Sequence, residues 1–349
     1  MISVFDQSHM GGLFGDAELR GMLSEDTNLK RCLLVEATYS QCLGQAGVVP
    51  KHIAARAKST IEGAQIFADS LHRASGIDGL IIPDLIRQIK DQADSELHPA
   101  IHNGLTSQDV LDTSMILALK DIAPILSKRI EAVGHALGGL HMSFGQNELM
   151  GYTRMQAALP ITVGDRIDAW GMPFDDHQQR LTELLPRVVR LQFGGPVGRR
   201  DMPEGATLNT AMAEALDLAP TEKAWHTMRD GLGEFAGWLS LVSGTLGKIG
   251  QDMAIMAQQG DISLAGGGSS SAMAHKKNPV KAELLVTLAA FNATQLPAMH
   301  HALRHEQERS GAMWALEWMV LPQMIMATGL GLKTAITLLG QVEGLGKSA

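Results

Sequence analysis

From Trp225 onward, apolar residues recur at spacings that alternate between three and four. They are Met228, Leu232, Phe235, Leu239, Val242, Leu246, Ile249, Met253 and Met256. This is a heptad stripe of more than four repeats, and it predicts one long helix. At about 1.5 Å per residue, that helix is roughly 50 Å long. A second stripe runs through Ile116, Leu119, Ala123, Leu126, Ile130, Val133, Leu137, Leu140 and Phe144. Pro124 lies inside it, so a kink or a late start is expected there. Seams of this length need partners of matching length, in the same chain or in other chains.

Further helical segments are expected at 160–189, 280–304 and 311 to about 340. Pro173 and Pro186 should mark breaks or ends in the first. The N-terminal hundred residues also read as helices, punctuated at 47–50 and 76–83. Strand signals are scarce, and 188–193 is the one short candidate. It leads into a Gly194-Gly195-Pro196 turn. No repeat at solenoid spacing is present. The expectation is an all-α protein, with an N-terminal helical domain over 1–102 and a long-helix bundle over 103–349. Apolar residues make up 45% of the chain and aromatics only 4%. A core rich in Met, Ala and Gly suits close helix packing better than a β-sandwich.

Charge and cysteine content narrow the function. The net charge is −8, with no basic block. That argues against a broad nucleic-acid face and leaves room for local cationic pockets. Cys32 and Cys42 read as reduced buried thiols. The first fifteen residues lack a continuous apolar core, so no secretory signal is expected. The apolar stretch 318–332 is short and contains Pro322 and Gln323, so no membrane span is expected and the compartment is the cytoplasm. No phosphate-binding loop, dinucleotide fingerprint or zinc-type cysteine pair is present, and no cofactor is expected. His301 and His305 stand four apart, beside His300, on an expected helix. They lack an intervening H-E-x-x-H glutamate and a distal ligand. No metal is assigned to them, and that helix is read as part of the active-site wall.

The densest chemistry lies at 265–283, AGGGSSSAMAHKKNPVKAE. Glycines let a backbone move and approach a ligand closely. Serine, lysine and asparagine side chains can grip and deprotonate a small carboxylate. This segment resembles the signature loop of the fumarase/aspartase superfamily, G-S-S-x-M-P-x-K-x-N-P-x-x-x-E. Ser270, Ser271, Met273, Lys276, Asn278, Pro279 and Glu283 fall on it in register. Ser269 replaces the usual glycine and Ala274 the usual proline, which removes no chemical group. HNGLTSQD at 102–109 is similar to the family's H-x-G-x-T-S-x-D, and GYTRMQAALP at 151–160 to its G-R-T-x-x-Q-x-A-x-P. Residues 13–50, WHTMRD at 225–230, and Glu308-Arg309-Ser310 with Trp314, Glu317 and Trp318 resemble bacterial 3-carboxy-cis,cis-muconate cycloisomerases. The resemblance covers nearly the whole chain. Many relatives carry a small helical C-terminal domain, which is expected here to be truncated or absent.

The resemblance implies roles. Ser270 is the catalytic serine, a poor base when free and so in need of nearby cations and a closed loop. Lys276 and Asn278 bind a carboxylate or steady developing charge. Glu283 orients Lys276 or a histidine, or serves as an ordinary first-turn glutamate. Thr106, Ser107, Thr153 and Gln156 donate hydrogen bonds to an anion, although each taken singly also suits a cap or turn. His102 assists proton transfer, orients a partner or is structural. Arg229 and Arg309 are carboxylate clamps or ion-pair residues. Arg154 stands where most members carry a histidine. An arginine stays charged, so its task is electrostatic.

The implied assembly is a homotetramer with a twenty-helix core and active sites shared between subunits. The implied reaction is a cofactor-independent cycloisomerisation of a small polycarboxylate, 3-carboxy-cis,cis-muconate, in protocatechuate breakdown. Two alternatives stay open: an adenylosuccinate-lyase-like β-elimination releasing fumarate, and a catalytically silent scaffold.

Overall fold

The computed structural model describes residues 3–269, 273 and 277–347. After a 3-10 turn at Val4–Asp6, short helices α1 (Gly11–Phe14) and α2 (Ala17–Met22) lead into α3 (Glu25–Gln45), α4 (Lys51–Gly63), α5 (Ala68–Asp78) and α6 (Ile82–Gln92). Ser24 starts α3 by accepting the Thr27 amide at 3.3 Å, with Glu25 and Asp26 in the favourable first turn. Then come α7 (Ser107–Phe144), the hairpin β1 (Glu148–Thr153) and β2 (Gln156–Thr162), α8 (Val163–Val188) and α9 (Gly205–Leu216). They are followed by α10 (Asp230–Gln259), β3 (Ile262–Leu264), β4 (Gly268–Ser269), β5 (Lys277–Asn278), α11 (Val280–Ala302), α12 (Gly311–Leu339) and β6 (Val342–Leu345).

Five long helices, α7, α8, α10, α11 and α12, pack as an up-and-down bundle. The first stripe forms α10. Leu232, Phe235, Leu239, Val242, Leu246, Ile249, Met253 and Met256 are all buried. Burial of each such side chain contributes about 1.5–3 kcal/mol. The helix begins at Asp230, so Trp225 and Met228 precede it, and Met228 is exposed. α10 and α11 approach so closely that a Cβ at Gly250 would lie 2.5 Å from the Ala282 carbonyl oxygen. Asn292 of α11 donates to Ser243 of α10 at 2.7 Å and to Thr328 of α12 at 2.9 Å. This buried polar contact favours one register of the three helices.

Three expectations need correction. α7 is one helix of 38 residues, with no late start at Pro124. That proline is exposed, so the carbonyl it frees faces water. α8 likewise runs through Pro173, whereas Pro186 falls in its last turn, two residues before its end at Val188. The region 188–193 is no strand and makes only one isolated bridge, Arg190 to Ala219. The strands lie elsewhere, in antiparallel pairs β1–β2, β3–β6 and β4–β5. Cys32 and Cys42 are free and buried. By length and composition α12 could cross a membrane, but it is mostly buried in the bundle.

Candidate active-site elements

α7 sets the geometry. With 38 residues it is about 57 Å long. Its N-terminus carries Thr106 and Ser107, and its C-terminus leads into the hairpin that carries Thr153, Arg154 and Gln156. α10 runs in the same direction. The Arg229 side chain beside its start bonds Asp112 in the first turns of α7, and its C-terminal loop meets the hairpin end, where Gly346 N–H donates to Asp261 O at 2.8 Å. Lys347 N–H in turn donates to Glu148 O at 2.9 Å. α11 returns to the first end, where Arg309 donates to Gln108 Oε1 at 3.0 Å. The residues singled out by sequence therefore fall into two groups. His102, Thr106, Ser107 and Arg309 share one end, and Thr153, Arg154, Gln156, Asn278 and Glu283 share the other.

The first end is built on buried polar groups. Asp109 Oδ2 accepts the Thr106 amide at 3.1 Å and the Gly195 amide at 2.9 Å. Its Oδ1 lies 2.8 Å from His226 Nε2. Glutamine 108 donates to the His226 carbonyl at 2.9 Å and to Asp112 at 3.2 Å. The loop before α7 turns at Gly104, φ +88°, where a Cβ would lie 2.4 Å from Met202 Sδ. Tyr39 Oη donates to Asn103 O at 2.6 Å, and Ser40 Oγ to Ala100 O at 2.6 Å. His102 takes a left-handed backbone, φ +57°, and its Nδ1 lies 2.6 Å from Glu36 Oε1. Thr106 is buried, while His102, Ser107 and Arg309 are half-buried.

Arg229 is not a clamp for substrate. Its side chain is 1% exposed and engages two carboxylates of the chain. Nη1 and Nη2 donate to Asp112 at 2.6 and 3.1 Å, while Nε donates to Glu317 at 2.9 Å and Nη2 also bonds Glu317. The guanidinium stacks 4.8 Å from the Trp225 ring centre. Burial alone would favour a neutral Arg229 and a neutral Asp112. The charges of the three groups on one another outweigh it, so the arginine pKa is raised and that of Asp112 lowered. Burial also opposes a charge on His102, but Glu36, by its charge and then its hydrogen bond, and Asp109 outweigh burial and Lys90. Its pKa is raised above the ordinary histidine value.

The second end is open. From Tyr152 to Pro160 the hairpin is exposed throughout. Thr153 pairs with Gln156, so Arg154 and Met155 form a two-residue turn, with φ +48° and +65°. That turn usually takes Asn-Gly, and neither residue here is of that kind. Gly268 pairs with Asn278 and Ser269 with Lys277, closing a two-stranded stem beneath the signature loop. Asn278 is half-buried, and Glu283 is exposed in the first turn of α11. Ser270 and Lys276 lie outside the described residues.

The His301–His305 pairing does not form. α11 ends at Ala302, leaving His301 exposed, while the His305 side chain is fully buried 3.4 Å from Glu317. Sequence reasoning assigned no role to Glu36, Asp109, Asp112, His226 or Glu317. The available signal for Glu36 was a carboxylate set among the buried Cys32, Val35, Tyr39 and Leu43 of α3.

A lyase family model matches residues 20–294. The 3-carboxy-cis,cis-muconate cycloisomerase of Pseudomonas aeruginosa is 33% identical over 95% of this chain and 74% of its own length. The crystal structure of the 3-carboxy-cis,cis-muconate lactonizing enzyme from Pseudomonas putida superposes with a TM-score of 0.91 at 30% identity. That match covers 97% of this chain and 78% of the other. The fumarate lyase from Mesorhizobium sp. BNC1 superposes with a TM-score of 0.88 at 29% identity, over 95% and 76% of the two chains.

Proposed function

The chain belongs to the lyase family of the fumarase/aspartase superfamily, and from that membership we propose that it is a cycloisomerase of 3-carboxy-cis,cis-muconate. The observation that carries this reading is similarity along 95% or more of the chain to proteins of that activity, in sequence and in structure. One substrate carboxylate oxygen bonds to a carbon of a double bond in the same molecule. The displaced electron pair moves to the neighbouring carbon and its carboxylate, forming an aci-carboxylate. One proton then adds to that carbon, and a γ-lactone leaves. The reaction belongs to protocatechuate breakdown, and we assign the enzyme to the cytoplasm.

The two groups of site residues supply different halves of this chemistry. At the first end His102, Thr106, Ser107 and Arg309 offer donors to carboxylates. At the second end Thr153, Gln156 and Asn278 bind the substrate, and Lys276 and Arg154 stabilise the aci-carboxylate. Ser270 is the proton-transfer group, and Glu283 orients its surroundings. About 57 Å of helix lies between the halves, so a complete pocket needs ends from different chains. We propose a homotetramer with shared sites. Exposed Met142, Met172, Leu241 and Met319 on the bundle helices support such an assembly.

A fumarate-releasing elimination is the second reading, favoured by the likeness to a fumarate lyase. Arg154 opposes its histidine-dependent form, because a fixed cation shuttles no proton. Ultraviolet absorbance of the purified protein with 3-carboxymuconate, and separately with adenylosuccinate, decides between the two. Turnover of the first alone supports the cycloisomerase. Arg154→Lys should lower activity substantially, since the planar fork is lost. Arg154→Met should leave every titration step of the pH–rate profile between about pH 6 and 9 in place. A step that vanishes with the arginine while affinity holds would overturn the electrostatic role.

A further inference from the structure

We infer that Glu36 is a positioning residue for the first-end half-site: it holds one edge of the His102 ring inward and leaves the other nitrogen as a fixed cationic donor to a substrate carboxylate. The inference rests on reading that end as a carboxylate-binding half-site.

Three groups of α3 hold the loop before α7. Tyr39 bonds the Asn103 carbonyl, Ser40 the Ala100 carbonyl, and Glu36 the His102 ring between them. His102 adopts a left-handed backbone that a non-glycine residue resists by about 1–2 kcal/mol. The loop is thus held by α3 in a shape that it would not choose alone.

The carboxylate itself points to a charged partner. Glu36 has no exposure, and its Oε2 is buried with no hydrogen-bond partner among the described residues. An ionised carboxylate in such a place is costly unless a cation faces it. Among the described residues, the only group within bonding distance is His102 Nδ1, at 2.6 Å. A protonated ring offsets the charge in a way a neutral ring cannot.

The charged groups that act on the ring are Glu36 from α3, Asp109 from α7 and Lys90 from α6. Asp109 is already committed to His226 and two backbone amides, so Glu36 is the specific partner. Burial works against the charged ring and Glu36 outweighs it, so the pKa is raised. With Nδ1 engaged inward, Nε2 has no partner among the described residues, and the side chain keeps 19% of its surface open. Ser107 and Arg309, the other candidate donors assigned to this end, are half-buried.

The test uses the full-length protein and an unreactive probe, propane-1,2,3-tricarboxylate, bound in a calorimeter from about pH 5.5 to 9. A histidine with a raised pKa favours the anion below that pKa, and affinity falls as pH rises through it. Wild type should therefore show a step above about pH 6.5, and His102→Gln should remove it. Glu36→Gln should move the step to lower pH and weaken binding at pH 7.5 by about tenfold, the scale of one charge-assisted hydrogen bond. Glu36→Asp keeps the charge and should hold the step near its wild-type position. A merely structural glutamate would leave the step unmoved in Glu36→Gln, and that result overturns the inference. If Glu36→Gln does not fold, a wild-type step at or below about pH 6.5 that His102→Gln removes overturns it equally. Failure of wild type to turn over 3-carboxymuconate would reject the cycloisomerase reading while leaving the binding step to be read on its own.

Discussion

The two ends of the bundle are built on opposite principles. At the first end, the candidate residues stand beside a set of buried, mutually bonded polar groups. Asp109 ties the start of α7 to the Gly195 loop and His226, and Arg229 joins Asp112 to Glu317. At the second end, Thr153, Arg154 and Gln156 stand on an exposed hairpin, and Asn278 in the β4–β5 pair. One end is preorganised by its own chain. The other is exposed from Tyr152 to Pro160. Substitutions at the two ends should therefore separate in structural cost.

Arg229→Met should break the comparison most sharply. It leaves Asp112 and Glu317 buried without their cation, and stability should fall by about 3–5 kcal/mol, read by urea unfolding. Arg154→Met, a like change at the exposed end, should leave the unfolding midpoint nearly unchanged. Ser270→Ala tests the opposite sense. Turnover should drop at least about a hundredfold, the scale of a lost general acid–base, with the melting temperature and assembly kept. Activity within a few-fold of wild type would remove Ser270 from the proton-transfer role.

A third experiment locates acid sensitivity between the ends. His177 of α8 lies 2.8 Å from Thr245 Oγ1 of α10, and burial, then Arg180, pushes its pKa down to about 4. The unfolded chain takes up this proton near pH 6.5, before the folded one does. Stability should thus fall as pH drops from about 6.5 to 4, by on the order of 2 kcal/mol from this group. His177→Gln should flatten that part of the stability curve. The smallest effect belongs to the turn. Met155→Gly should stabilise the hairpin by about 1 kcal/mol, because its left-handed backbone costs glycine nothing. A destabilised Met155→Gly protein would mean that the methionine side chain packs against a partner.

What the sequence made legible follows from where information is local. α10 was readable because its buried residues repeat at the helix's own period. The hairpin was not: from Tyr152 to Pro160 it is exposed on both faces, and its turn uses Arg154 and Met155 instead of Asn-Gly. Prolines misled in α7 and α8, because the packing of long helices outweighs a local breaker. Arg229 stayed open between clamp and ion pair because its carboxylates lie 88 and 117 positions away. Nothing beside Arg229 in sequence announces Glu317 or Asp112. The signature segments were recognisable by residue type, yet their division between opposite ends depends on helix direction, which no short motif records.

The length of α7 carries a genetic consequence. In the proposed shared-site tetramer, a chain damaged at His102 and a chain damaged at Ser270 would each lack a different half of every pocket in their own pure assemblies. In mixed assemblies, chance brings the intact first end of one chain beside the intact second end of the other. Some pockets then receive both defects, and others receive none. Two inactive alleles expressed together should restore part of the activity, whereas two alleles damaged at the same end should restore none. In that proposed assembly, a helix about 57 Å long would make the functional unit of inheritance the half-chain.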